Sequence, residues 1–430
     1  MKRLLSFALA LVLLCAASSV SASGSRAPSG YSSADYEKMA AFLEKTDESG
    51  VKNGLKLSPA YVKLDPSTWA GVVFTGTSPK KILSFTAVDV PLVGELDLSG
   101  LTALETVMLR WNAVTRADFS GCSALKKLTL GNNLLESINI SGCHEIFYLQ
   151  LGSNSLGSVD LTECPKLKFL YLFDNLLPSL DLTHCPLLES INITGNLIPT
   201  FDATEFPNLT VLDCADNGMY SLTLPVSDLV YYLNCRDNDL TEIDVTGLHG
   251  LNTFDAANND LREIDLSGCP LLRSLDLNGN LLLDIDLTSN EWVYFDRVYS
   301  MPGGTAGFAM NDGGDYYTFS AVPETGMQFR GWYYDDGTLA SDKTDFRIWS
   351  YQLSNKPRVI VARFSAPDEY PEGDADGDGF VSAADALKVL RHIMHIAPIS
   401  PDTLWLCDLD RDGNVTAIDA LMILRKSMGI

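Results

Sequence analysis

Apolar and polar positions along the middle of the chain repeat in one register. Nine asparagines, Asn112, Asn133, Asn154, Asn175, Asn196, Asn217, Asn238, Asn259 and Asn280, stand 21 residues apart. Apolar residues fall eight, five and three positions before each and two, five and seven after it. Leu125, Leu128, Leu130, Asn133, Leu135, Ile138 and Ile140 show one period. A strict period of this length predicts a solenoid, each turn burying its apolar side against its neighbours. The alternation through Leu128 and Leu130 predicts one short strand per turn, so that successive turns build a parallel sheet. Each asparagine is expected to bond backbone groups freed where the chain leaves the strand, giving a buried ladder.

Other columns share the lattice. Asp97, Asp118, Asp160, Asp181, Asp202, Asp244, Asp265 and Asp286 lie six positions after the asparagine register. Carboxylates on adjacent strands about 5 Å apart suit calcium or acid and base work. This column, however, alternates with inward residues such as Ile264 and Leu266. It is expected to mark the solvent side of a second short strand, with Ser120, Ser141, Thr162, Thr183, Thr246, Ser267 and Thr288 capping the convex turn. Cys122, Cys143, Cys164, Cys185 and Cys269 share a slot with Leu101, Phe206 and Leu248, while Cys214 and Cys235 fall elsewhere on the lattice. They read as small core hydrophobes, not as metal ligands or a disulfide framework. Unoxidised thiols in an exported chain would fit an anaerobic habitat.

The residues between the core leucines face the concave side of such a coil. Trp111, Phe147, Tyr148, Phe169, Tyr171 and Phe173 put aromatics on the early turns, and Tyr231 and Tyr232 on a later one. Exposed aromatics are not needed to hold the coil and suggest a binding patch for protein or for sugar rings. Asp213, Asp216, Asp237 and Asp255 follow, so the two halves of the face differ in chemistry.

The flanks read differently. Residues 1–22 carry Lys2, Arg3, an apolar run and a Val20-Ser21-Ala22 ending, the pattern of a secretory signal peptide. No other run is long enough for a membrane span. Residues 23–90 are expected to cap the solenoid, Ser33 opening a helix over 34–45 with Tyr36, Met39, Ala40 and Leu43 on one face. After about residue 290 the period fails, and strands are expected over 316–322, 327–334 and 358–364, with Phe329 and Trp332 in their core. The formal net charge of -24 argues against nucleic acid, whose phosphates need clustered Lys and Arg. His144, His184, His249, His392 and His395 sit in no nucleophile motif, and no glycine-rich phosphate loop is present, so no enzyme is expected.

The last segment carries the clearest chemistry. Asp374, Asp376, Asp378, Gly379 and Asp385 occupy positions 1, 3, 5, 6 and 12 of a calcium loop, and Asp408, Asp410, Asp412, Gly413 and Asp419 repeat it 34 residues later. Calcium takes roughly six to eight oxygens. Phe380 and Asn414 would give a carbonyl, and Ser382 and Thr416 would act through water. Asp stands where an EF-hand has Glu, and only an exiting helix follows each loop, carrying Leu387, Leu390 and Met394 or Leu421, Leu424 and Met428.

Three resemblances follow from these residues. The unit L-x-x-L-x-L-x-x-N-x-L-x-x-I-D-L resembles the leucine-rich repeat of bacterial secreted proteins, and Trp69-Ala70-Gly71-Val72 the W-x-G-V segment that precedes many such repeats. Phe319 to Trp332, closing on Val359 to Phe364, resembles the small β-grasp repeat of internalin-type surface proteins. The duplicated loop-helix units look like a type I-like dockerin. The fold class expected is thus multidomain: a leucine-rich repeat solenoid over 91–300 with a parallel β-sheet, a short irregular convex side and a helical N-terminal cap. A β-grasp-like domain follows at 301–364, a linker at 365–372 and an all-α dockerin with two calcium ions at 373–430. The dockerin resemblance implies a cohesin module of a scaffoldin as partner, in a secreted, cellulosome-like complex. Residues beside the last ligand would meet it: Ala383, Ala384 and Arg391, or Ala417, Ile418 and Arg425. The concave face is expected to bind a protein, the alternatives being a polysaccharide or an unrecognised polysaccharide-degrading activity.

Overall fold

A computed structural model describes residues 27–282, 289–290, 298–300, 304–310, 316–323, 325, 328–334, 339–349, 360–365, 371–375, 381–394, 396, 399, 404–409 and 414–428. The expected leader at 1–22, Asp286, Thr288, His395 and most of the expected linker lie outside them.

An 11-stranded sheet runs along the repeats. Its first pair, Val72–Phe74 and Ile82–Thr86, is antiparallel and closes the end of the coil. From Thr106–Met108 to Ser274–Asp276 the strands are parallel and shifted by one period, so that Leu128 stands opposite Leu149 and Leu149 opposite Leu170. The middle residue of each points inward: Leu128, Leu149, Leu170, Ile191, Leu212 and Leu233 are fully buried.

The asparagine ladder forms as expected. Asn133 Nδ2 donates to Leu130 O at 2.9 Å in its own turn and to Leu109 O at 2.8 Å in the turn before, while its Oδ1 accepts the Val114 N–H at 3.0 Å. The pattern recurs at Asn175, Asn196, Asn238 and Asn259. The residue before each asparagine bends the chain out of the strand in the left-handed region, where Asn, Asp and Gly are tolerated. Asn132, Asp174, Asp216, Asp237, Asn258, Gly195 and Gly279 obey that preference; Ser153, at φ 57°, and Trp111, at φ 60°, do not.

The cysteine slot holds more than a hydrophobe. All its thiols are buried, and Sγ of Cys122 and Cys143 donates to Leu98 O at 3.0 Å and Phe119 O at 3.1 Å, carbonyls of the preceding turn. Asn290 fills the same slot one turn after Cys269 and its Nδ2 donates to the equivalent carbonyl, Leu266 O, at 2.9 Å.

On the convex side two expectations change. The second strand forms only at Val93–Asp97, Ala113–Asp118 and Ser137–Asn139, and at Thr200–Asp202 with Ser221–Thr223. The other described turns form no second strand. The capping roles are also reversed, because Asp160 Oδ1 accepts from both the hydroxyl and the N–H of Thr162, at 2.7 and 3.0 Å, and Asp181 does the same with Thr183. These bonds hold Asp160 and Asp181 below the usual carboxylate range, the Thr162 hydroxyl leading at the first and the Thr183 backbone at the second.

The N-terminal helix spans Ser33–Leu43, capped by Ser32 and not by Ser33. Tyr36, Met39, Ala40 and Leu43 are buried as the spacing required, and Trp69 stacks on Tyr36 at 5.2 Å. Buried Asp35 ties the helix to the first strand pair by accepting the Ile82 N–H at 2.7 Å.

Beyond the repeats, the expected strands appear as Tyr316–Pro323, Gln328–Tyr334 and Ile360–Ser365. Four more were not anticipated: Val298–Ser300, Gly304–Met310, Leu339–Ser341 and Asp345–Trp349. Trp332 is buried between Phe319 and Phe329, each at 5.6 Å. The last unit packs helix Ala383–Ile393 on helix Ala417–Ser427 through Ala386, Val389, Ala420 and Ile423, around Cys407.

Candidate functional site

Two surfaces carry the residues singled out from the sequence. In the C-terminal unit, Asp385 is fully buried at the start of its helix. Its Oδ1 accepts the Ala375 N–H at 2.8 Å and its Oδ2 the Ser382 N–H at 2.7 Å, so one carboxylate closes the loop onto the helix. Asp419 repeats this with Leu409 at 2.8 Å and Thr416 at 2.8 Å. Ser382 and Thr416 cap the two helices, accepting from Ala384 and Ile418 at 3.1 Å and donating to Asp385 and Asp419. Asp374 is fully buried, Asp408 half-buried and Asn414 exposed; Asp376, Asp378, Phe380, Asp410 and Asp412 lie outside the described residues.

Ala386, Val389, Ala420 and Ile423 take the core-facing positions, and several large apolar residues are left outside. Ala383, Ala384, Leu387, Arg391 and Met394 are exposed on the first helix, and Ala417, Ile418, Leu421, Arg425 and Met428 on the second. Each stands 34 residues from its counterpart. In the sequence Leu387, Met394, Leu421 and Met428 stand out as apolar residues of the exiting helices but point to no partner, because such helical spacing reads equally well as core.

On the concave side of the solenoid the structure brings Tyr148, Phe169 and Tyr171 together. The Tyr148 ring lies 6.0 Å from Phe169 and 5.5 Å from Tyr171, tilted by 42° and 47°, and Lys127 Nζ sits 4.7 Å over it. Phe173 leans over Gly152, where a Cβ would stand 2.5 Å from the ring. Tyr232 occupies the Tyr148 column four turns further on. Phe147 and Tyr231 sit just before their strands, at one margin, and are exposed. Trp111 departs from the expectation: it lies in the bend after the strand, 54% exposed. Leu134, Leu176 and Leu197, just after the asparagine and exposed, were missed. Their signal was an apolar residue where the period asks for none.

The later turns keep Tyr231 and Tyr232 and add carboxylates. Asp213 accepts the Thr194 hydroxyl at 2.7 Å, and burial pushes its pKa up. Arg236 Nε donates to Asp237 at 3.1 Å, and its Nη1 stands 3.9 Å from Asp255 and 3.7 Å from Asp276.

Comparison with known proteins matches two segments of the chain to family models. The dockerin type I domain matches residues 372–426 and the divergent InlB B-repeat domain residues 301–368. Among solved structures the chain is similar to the functional domain of InlJ from Listeria monocytogenes, at 16% identity over 66% of this chain and 90% of that one, TM-score 0.37. It is similar to a leucine-rich repeat protein of Leptospira interrogans at 21% identity over 47% of this chain and 63% of that one, TM-score 0.37. For the leucine-rich effector YopM from Yersinia pestis the identity is 25% over 47% and 56%, TM-score 0.41. The chain thus spans less than two thirds of the latter two proteins. No curated protein matches it. The chain is a multidomain protein that joins a solenoid of the leucine-rich repeat kind to a dockerin type I domain. Neither module is catalytic, and among the described residues no helix is long and apolar enough to cross a membrane.

Proposed function

We propose that this protein is a secreted, non-catalytic component of a cellulosome-like complex, attached by its dockerin and presenting the repeats to a protein partner. The duplicated C-terminal unit carries the reading: two loops of oxygen donors, each opening a helix whose exposed face repeats the other. Asp374, Asp376, Asp378, the Phe380 carbonyl and Asp385 would hold one calcium ion, and Asp408, Asp410, Asp412, the Asn414 carbonyl and Asp419 a second, with Ser382 and Thr416 through water. The donor set fits, since it is all hard oxygen and includes carboxylates as deeply buried as Asp374, Asp385 and Asp419. Calcium supplies the positive charge that lets such groups stay ionised.

The partner is a cohesin module of a scaffoldin, met by Ala383, Ala384 and Arg391 or by Ala417, Ile418 and Arg425. Leu387 and Leu421 add apolar area of the kind that anchors interfaces. With near-equivalent faces, either helix engages. Export follows from residues 1–22. On the repeats, the 42° and 47° tilts make a cup and not a flat platform, which favours a protein side chain over a stacked polysaccharide. Affinity capture of scaffoldin by the full chain, with and without a chelator, tests the attachment. Retention in chelator contradicts it.

A further inference from the structure

Two sets of positions, those flanking the asparagines and those on the strands, differ between the early and the later turns. The positions flanking each asparagine carry Trp111, Leu134, Leu176 and Leu197 early and Asp216, Asp237, Asp239 and Asp260 later. On the strands the first position carries Tyr148 and Phe169 early and Tyr232, Thr253 and Ser274 later, while in the last position Tyr171 gives way to Asp213, Asp255 and Asp276. Residues 207–282 hold twelve carboxylates against three arginines and no lysine. The named positions flanking the asparagines are exposed, whereas on the strands Asp213 and Asp255 are half-buried and Asp276 is buried.

The chain's own cations show what this surface takes. Lys127 lies 4.7 Å over the Tyr148 ring, and Arg236 reaches Asp237 at 3.1 Å beside Asp255 and Asp276. Aromatic faces and carboxylates both attract cations, and long basic side chains also lay their stems on apolar surface. Trp111 is held in a strained conformation with its ring outside, which the fold does not require.

We infer that the partner of this face is a protein surface rich in lysine and arginine, its cations set against Asp216, Asp237, Asp255 and Asp260 and an adjoining apolar anchor against Tyr148, Phe169 and Tyr171. The inference rests on the reading of the concave face as protein-binding and adds the chemistry of the partner. Charge complementarity carries it: a partner's cations would relieve the repulsion within the later half and be steered to it, more weakly in salt.

The test uses the full, calcium-loaded chain against an array of synthetic peptides graded from lysine- and arginine-rich to glutamate-rich, beside soluble polysaccharides. The expected result is retention of cationic peptides that carry an aromatic or leucine, weakened about tenfold by Asp237→Asn with Asp260→Asn and equally by Tyr148→Ser with Tyr171→Ser. The charge-matched pair Asp160→Asn and Asp181→Asn, on the convex side, leaves binding unchanged. Equal loss in that convex pair would mean bulk charge attraction and overturn the inference. Preference for neutral or acidic peptides would overturn it too, yet leave a protein-binding face standing. Retention of polysaccharide alone removes both.

Discussion

Asn133 and Leu109 belong to adjacent turns, and a 2.8 Å hydrogen bond from the asparagine Nδ2 to the leucine carbonyl joins them. The bond crosses the point where the strand ends and the left-handed bend begins, so it satisfies a carbonyl that no strand partner can reach. Repetition of that bond, and not the leucines alone, fixes the register of the stack.

Replacing Asn196 by Leu tests this. The side chain is of similar size and apolar, but it would leave the Leu177 N–H without its acceptor and take one of two asparagine donors from each of Leu172 O and Ile193 O. A loss of about 3 kcal/mol is expected in urea unfolding. Leu197→Ala, exposed on the next residue, should change stability by less than about 0.5 kcal/mol.

The thiols give a pH dependence. Burial pushes Cys122 up to about 11 and Cys143 and Cys164 up to about 12. An acid whose pKa folding raises contributes fully below its ordinary value, near 9.0, and loses that contribution as pH climbs towards about 12. The urea midpoint should therefore fall over that window, and less steeply in Cys143→Ala with Cys164→Ala. At neutral pH iodoacetamide should label the native repeat cysteines only after unfolding.

Two glycines separate backbone from side-chain crowding. A Cβ at Gly268 would collide with the Thr246 carbonyl, which cannot move without opening the stack, whereas at Gly152 it meets the Phe173 ring. Gly268→Ala should cost about 2 kcal/mol or more. Gly152→Ala should cost under about 1 kcal/mol and show as a change in the near-ultraviolet circular dichroism.

Removal of calcium should act on one part of the molecule. Chelation is expected to melt the Ala383–Ile393 and Ala417–Ser427 helices and leave the thermal transition of the repeats in place. Asp385→Asn keeps the volume and removes the charge, and should weaken calcium binding at least about tenfold by titration calorimetry.

How much of this was legible beforehand depended on whether a residue's task repeats with the period. The asparagines were legible, because Asn133 and Asn238 do the same thing at the same place. The thiol bonds were not, since a cysteine beside Leu101 and Phe206 in one slot reads only as apolar. Asp160 and Thr162 exchanged roles because sequence shows a pair, not which member accepts. Trp111 was placed on the face and not in the bend, as spacing alone does not reveal a left-handed φ. Leu387 and Val389 share one amphipathic helix, and only the packing of Val389 against its neighbours shows which of them is outside.

The central claim is calcium-dependent attachment through either of two equivalent helix faces. The most direct measurement is binding of the full chain to an immobilised cohesin, comparing the native protein with Ala384→Asp/Leu387→Asp, with Ile418→Asp/Leu421→Asp, and with both pairs together. The account predicts binding in calcium, none in chelator, retention by each single-face variant within about threefold and loss of at least about a hundredfold when both faces are changed. Binding that survives chelator, or that persists with both faces changed, would contradict it.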